Sequence, residues 1–235
     1  MLTKRKVSFF LLFMILFYSN LFLWGIQKEE QSINLPDPLL KGEVSVEEAI
    51  KHRRSIRNFK QDPLTISQLS QLLWAAQGIT ITDEKKNRSF RSAPSAGALY
   101  PIHVYVLVGE DGVIDLEKGI YKYNPENHSL LKISGEDRRF QVAKAAYNQS
   151  WMSKAPVILI ITAEYERSMK KYGERGIGYS KIEAGHVGQN VFLQAEALGL
   201  GAGIVGAFHD YEMMNILNIW GKPQPLLAMP LGHKQ

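Results

Sequence analysis

Hydrophobic positions recur along this chain with two periods, and the switches between them outline a succession of helices and strands. Ser45 with Glu48, and Thr65 with Gln68, are capping boxes, in which a hydroxyl and a side chain three residues later close the first turn reciprocally. They predict a helix running to about residue 54 and a second carrying the Leu69, Leu72, Leu73, Ala76 stripe to Gly78. Residues 79–92 are polar and predict a mobile loop. Residues 102–108 alternate Ile/Val with His/Tyr/Leu and predict a strand, and residues 119–123 and 129–133 a short hairpin around Pro125-Glu126-Asn127. Residues 136–147 read as a helix. Residues 157–163 are a continuous apolar run, as in a strand covered on both faces. The longest helical pattern spans residues 179–198. Two short apolar runs, 204–208 and 226–231, follow, with a helix around 211–219 between them. Helices and strands interspersed in this way predict one α+β domain.

The first residues follow another rule. Lys4, Arg5 and Lys6 precede residues 7–26, which carry no charge and are dominated by Phe, Leu and Ile. As a helix this run spans about 30 Å, a bilayer core. It is longer than the apolar region of a signal peptide and no Ala-x-Ala-like site follows, so a retained signal anchor, one transmembrane helix over 1–26, is expected over a cleaved peptide. The basic flank then places the rest on the extracytoplasmic side, or in a secreted form if the segment is cleaved. Residues 27–41, with Pro36 and Pro38, read as a linker, and 42–235 as the folded domain.

Setting residues 1–26 aside leaves 25 basic against 23 acidic residues, so the basic character of the whole chain is largely that of its first residues. This counts against nucleic acid as a partner, which needs a concentrated basic face on the folded part. The absence of cysteine excludes disulfides, thiolate metal sites and a cysteine nucleophile. The six histidines form no HExxH motif or i,i+4 pair, so no metal site is expected, and His186 reads as a hydrogen-bonded structural histidine within a helix. There is no Gly-x-Ser-x-Gly nucleophile elbow.

Three segments carry chemistry. Arg53-Arg54-Ser55-Ile56-Arg57 places three guanidiniums and a hydroxyl at a helix end, the forked donors an anion needs, although a solvated basic helix end would look the same. Residues 92–101 put Ser92, Ala93, Ser95, Ala96 and Gly97 between Pro94 and Pro101, small enough for a flat ligand to approach the backbone. Residues 199–206 are Gly-Leu-Gly-Ala-Gly-Ile-Val-Gly. They follow a helix and lead into a strand, which fails the context of a dinucleotide fingerprint. They suit backbone lying against something flat, or tight packing on a sheet.

Arg-Arg-Ser-Ile-Arg-Asn-Phe (53–59), Pro-Ser-Ala-Gly-Ala-Leu-Tyr-Pro (94–101), Tyr-Ser-Lys-Ile-Glu-Ala-Gly-His-Val-Gly-Gln-Asn (179–190) and Gly-Leu-Gly-Ala-Gly (199–203), in this order, resemble the FMN-dependent nitroreductase superfamily, most nearly its SagB-type dehydrogenase branch, which includes the thiazole- and oxazole-forming peptide oxidases. The resemblance covers about residues 44–232. It implies a nitroreductase-like FMN-binding fold with a mixed central sheet flanked by helices, working as a homodimer with FMN at the subunit interface. By the same resemblance, Arg53, Arg54, Ser55 and Arg57 hold the phosphate, ribityl chain and pyrimidine edge. Pro94, Ser95, Ala96 and Gly97 reach the flavin from the partner subunit. Gly203, Ile204, Val205 and Gly206 lie against the isoalloxazine, and Lys234 is the sole candidate for a C-terminal phosphate contact. Ala98 and Tyr100 stand where many nitroreductases have asparagine and glutamine, which points to the SagB branch. Peptide oxidases of that branch use a Lys-Tyr pair near the flavin, and Lys171-Tyr172 is the matching candidate. The implied activity is hydride transfer through flavin N5, with a peptide-derived or small-molecule substrate. The alternatives are an NAD(P)H-dependent quinone or nitro reductase and a non-catalytic flavin-binding module.

Overall fold

The computed structural model describes residues 32–86, 88–221 and 223–235. Both capping boxes form. Ser45 Oγ accepts the Glu48 N–H and opens α1 (Val46–His52), and Thr65 Oγ1 accepts the Gln68 N–H and opens α2 (Ile66–Gln77). Each cap stabilises its helix by about 1 kcal/mol. The segment expected to be a mobile loop is a β-hairpin, β2 (Ile79–Asp83) paired with β3 (Arg88–Arg91). Its exposed Ile81 and polar neighbours give no half-buried alternation for a sequence reading to detect.

The main sheet has seven strands in the order β1 (Ser32–Asn34), β6 (Ser129–Ser134), β5 (Gly119–Asn124), β4 (Ile102–Val108), β7 (Val157–Glu164), β9 (Pro223–His233), β8 (Leu200–Ala202). Every strand pair in it is antiparallel, so the expected mixed sheet is corrected. Parallel pairing enters only through isolated bridges such as Ser55 to Ala202. Pairing begins at Ser32, and Leu35 is buried, so part of the expected linker belongs to the sheet. Of the two short C-terminal apolar runs, residues 226–231 fall within β9. Residues 204–208 do not form a strand: the glycine-rich residues 200–202 do so instead, and only Val205 bridges to Ala228.

The sheet separates two cores. Val104, Val106 and Val108 of β4 pack with Leu69, Leu72 and Leu73 of α2 and with α5 (Arg175–Ala197) through Ala184, Val187 and Val191. Tyr105 and Leu107 point the other way, towards α3 (Arg139–Ala145) and α6 (Asp210–Leu217), with Val142, Met213 and Leu217. This is the period-2 division that a strand covered on both faces requires. Each fully buried Leu, Val or Ile here contributes about 1.5–3 kcal/mol. Between β7 and α5 lies the short α4 (Tyr165–Tyr172).

Among the described residues no helix is long and apolar enough to cross a membrane. The expected transmembrane helix, and the membrane anchoring and extracytoplasmic location built on it, are therefore not supported, and residues 7–26 lie outside the described residues.

Candidate functional site

Helix α5 is the spine on which the chemistry-bearing segments gather, in two patches. The first surrounds the loop 92–101. Its start is pinned by Asn190 of α5, whose Nδ2 donates to Ala75 O at 3.1 Å and Ser92 O at 3.3 Å. Gly97 has φ 65°, in the left-handed region, and a methyl group there would stand 2.7 Å from Tyr172 Oη and 2.9 Å from Lys171 Nζ. The structure thus brings Lys171 and Tyr172 onto the small-residue loop, which a side chain at position 97 would obstruct. The Lys171 ammonium lies 5.3 Å from the Tyr172 ring centroid, and Tyr172 meets Tyr179 edge-on at 5.2 Å.

Beneath this loop lies a carboxylate that sequence reasoning missed. Glu183 is only 2% exposed, on the core-facing side of α5 among Ser180, Ala184 and Val187. Burial pushes its carboxyl up to about 7, against hydrogen bonds from Ser95 and Gln77 and the charges of Arg91 and Arg167. An acid at an apolar position of the longest helix was the available signal. At the start of β4, just after the loop, burial and the cations Lys122 and Arg167 hold His103 down to about 4, despite Glu164 beside it.

The second patch lies on the same helix about 14 Å further along, at a rise of 1.5 Å per residue from Glu183 to Phe192. Arg53 Cζ sits 5.5 Å from the Phe192 ring centroid. One turn on, Lys234 Nζ is paired with Glu196 at 2.7 Å, so its charge is compensated. Ile56 N–H donates to Ala202 O at 2.8 Å and ties the Arg/Ser segment to β8. Arg57 stacks at 5.7 Å over Trp151. Among the described residues neither Arg53 nor Arg57 has a carboxylate partner. Arg54 is turned away from this patch: its Nη1 donates to Lys51 O and Arg53 O, capping its own helix.

The glycine-rich segment is the floor of this patch. A methyl group at Gly203 would lie 2.7 Å from the Trp151 ring and 2.9 Å from Ile56 O. Gly203 N–H and Val205 N–H are spent on Pro230 O and Ala228 O of β9. Among the described residues the alternate donors, Ile204 N–H and Gly206 N–H, have no partner. At Gly188 of α5 a Cβ would meet Ile204 at 3.4 Å, Leu227 at 3.5 Å and Met229 at 3.7 Å. His186, expected to be a bonded structural histidine, is instead exposed on α5. Its neighbours Gly178, Ile182, Gly185 and Gln189 are also exposed, giving the helix a free face.

The sheet-and-helix layer thus carries two guanidiniums without carboxylate partners beside a glycine floor, and a Lys-Tyr pair against a small-residue loop. The chain belongs to the nitroreductase family, whose model matches residues 50–233. It is 46% identical over 206 residues to a Methanocaldococcus jannaschii protein named for the nitroreductases, covering 88% of this chain and 98% of that one. A nitroreductase-type structure from Ralstonia eutropha superposes with a TM-score of 0.75 at 27% identity, covering 89% of this chain and 92% of the other. The chain is also 34% identical over 114 residues to the trifolitoxin-processing protein TfxB of Rhizobium leguminosarum bv. trifolii, 47% of this chain and 30% of TfxB.

Proposed function

We propose that this chain is an FMN-dependent oxidoreductase of the SagB type that dehydrogenates a peptide-derived or small heterocyclic substrate as a homodimer. The observation that carries this reading is the contact of Lys171 Nζ and Tyr172 Oη with the space above Gly97.

The residues present fit FMN. Arg53 and Arg57 are donors without a carboxylate partner and suit a phosphate, with Ser55 between them in sequence, and the N–H groups of Ile204 and Gly206, without a partner among the described residues, belong to a floor that admits no side chain at Gly203. When bound, FMN supplies a hydride acceptor on its isoalloxazine ring. Arg53 and Arg57 would hold its anionic end, the N–H groups of Ile204 and Gly206 would donate to it, and the Pro94–Gly97 loop would exclude water. Lys171 Nζ as the neutral amine, or Tyr172 Oη as the phenolate, would take the proton that leaves the substrate along with its hydride. Within one chain the loop patch and the cradle patch are separate, and the free α5 face at Ile182 and Gly185 suits a two-fold partner that brings one subunit's loop to the other's cradle.

Anaerobic reduction of FMN-loaded protein by a donor panel including NADH, NADPH and an azoline peptide tests this. The expected result is reduction by the azoline, lost by at least about a hundredfold in Lys171→Ala and Tyr172→Phe while dithionite reduction is unchanged. Reduction by NAD(P)H alone, equal in all three proteins, would replace it with a quinone or nitro reductase. A bound flavin that no donor reduces would leave a non-catalytic module.

A further inference from the structure

Five residues from four parts of the fold close a hydrogen-bonded ring beneath the loop. The Ser95 hydroxyl donates to the Glu183 carboxylate, and Ser95 Oγ accepts the Tyr100 N–H at 2.9 Å. The Tyr100 hydroxyl accepts the Arg91 N–H at 3.2 Å. Arg91 Nη1 donates to Gln77 Oε1 at 3.0 Å, and Gln77 Nε2 returns to Glu183 Oε1 at 3.5 Å. From outside the ring, the Arg91 guanidinium covers the Tyr100 ring at 4.7 Å and Arg167 Nη1 donates to Tyr100 O at 2.7 Å. The stretch so held contains two non-glycine residues in left-handed backbone, Ala98 (φ 50°) and Tyr100 (φ 48°). Such residues persist where their surroundings over-determine them.

The bond directions single out one member. Both ring neighbours of Glu183 donate to its carboxylate: the Gln77 amide nitrogen, whose oxygen is taken by Arg91, and the Ser95 hydroxyl, whose bond favours the ionised form. A carboxylate accepts both bonds freely. A protonated carboxyl takes the charge assistance from both bonds and leaves one strong acceptor oxygen in place of two. We propose that Glu183 is a positioning residue whose ionised carboxylate clasps residues 95–100 in their ligand-receiving conformation and whose protonation opens the clasp. The ligand arm of this inference rests on the FMN reading above; the clasp itself does not.

The groups facing Glu183 are Ser95 from the loop, uncharged Gln77 from α2, Arg91 from β3 and Arg167 from α4, with Lys171 of α4 on the Gly97 side of the loop. Both arginines favour the carboxylate and burial opposes it, which brings the change of state to neutral pH.

Amide hydrogen exchange at residues 96–99, corrected for intrinsic rates and measured without flavin, reads the clasp directly. FMN fluorescence quenching reads its consequence. From pH 8.5 to pH 5.5 the wild-type loop is expected to lose about tenfold in protection and FMN about tenfold in affinity. Glu183→Gln should be weakly protected and pH-independent. Ser95→Ala, which leaves the buried acid in place, should show the same loss should Glu183→Gln fold poorly. Protection that is equal at both pH values in the wild type and unchanged in Ser95→Ala overturns the clasp. If FMN fails to bind while loop protection still follows pH, the cofactor reading falls and the clasp stands.

Discussion

Replacing Glu183 by glutamine removes a buried acid whose titration is linked to folding, and the size of the effect follows from its surroundings. The carboxyl moves from an ordinary value of 4.5 to about 7 on folding, chiefly through burial. The folded chain therefore binds this proton more tightly than the unfolded one. The stabilisation is fully present below pH 4.5 and is lost as pH rises through 7. The interval corresponds to about 3 kcal/mol at 1.36 kcal/mol per pH unit, a large part of the 5–15 kcal/mol typical of a domain. His103, held down to about 4, acts in the opposite sense: its contribution is present above pH 6.5 and lost as pH falls towards 4. Because His103 is common to both proteins, it cancels in their difference. Urea unfolding followed by tryptophan fluorescence at half-unit steps from pH 4.5 to 8 gives that difference. The wild type should gain about 3 kcal/mol relative to Glu183→Gln on going from pH 8 to pH 4.5. Parallel stability curves for the two proteins would refute the buried-acid account. The same proton that strengthens the fold is the one proposed to release the loop, so stability and loop protection should move in opposite directions with pH.

Two further outcomes follow from backbone and packing. Ala98→Gly relieves a left-handed residue worth about 1–2 kcal/mol, less about 0.5–1 kcal/mol of glycine entropy, so a net gain of up to about 1.5 kcal/mol and a melting temperature higher by about 2–4 °C per kcal/mol gained are expected by calorimetry. A lower melting temperature would show that the left-handed backbone at 98 is not strained. Gly203→Ala drives a methyl into Trp151 and Ile56 O; about 1–3 kcal/mol of lost stability in urea and weakened FMN binding are expected, and neutrality in both would remove the floor from the site.

The fold was legible wherever a local rule fixed it. Ser45 with Glu48 and Thr65 with Gln68 marked two helix starts to the residue, because a capping box is complete within one turn. The strand at 102–108 was visible from its alternation, and the one at 157–164 from a continuous apolar run that is buried on both faces. Antiparallel pairing throughout the main sheet was not, since strand direction is set by partners far apart in sequence. The β2–β3 hairpin was hidden by its exposed, polar side chains, and Ser32–Asn34 by its three-residue length. At the site, the Arg/Ser segment, the small-residue loop and the Lys-Tyr pair could be named from sequence, whereas their division into two patches along α5 could not. Arg54 illustrates the limit: its type matches its neighbours, but its guanidinium is committed to Lys51 O and Arg53 O. Glu183 illustrates the converse, a functional candidate inconspicuous in a motif of small residues until its burial is known.

The central claim, that Arg53 and its neighbours on the glycine floor form an FMN cradle, is tested most directly by titrating FMN into the wild type, Arg53→Ala and Arg54→Ala by calorimetry. The account predicts one FMN per chain, an affinity at least about tenfold weaker in Arg53→Ala from the lost charge-assisted bond, and an unchanged affinity in Arg54→Ala. Absence of FMN binding by the wild type, or equal affinities for the wild type and Arg53→Ala, would contradict it.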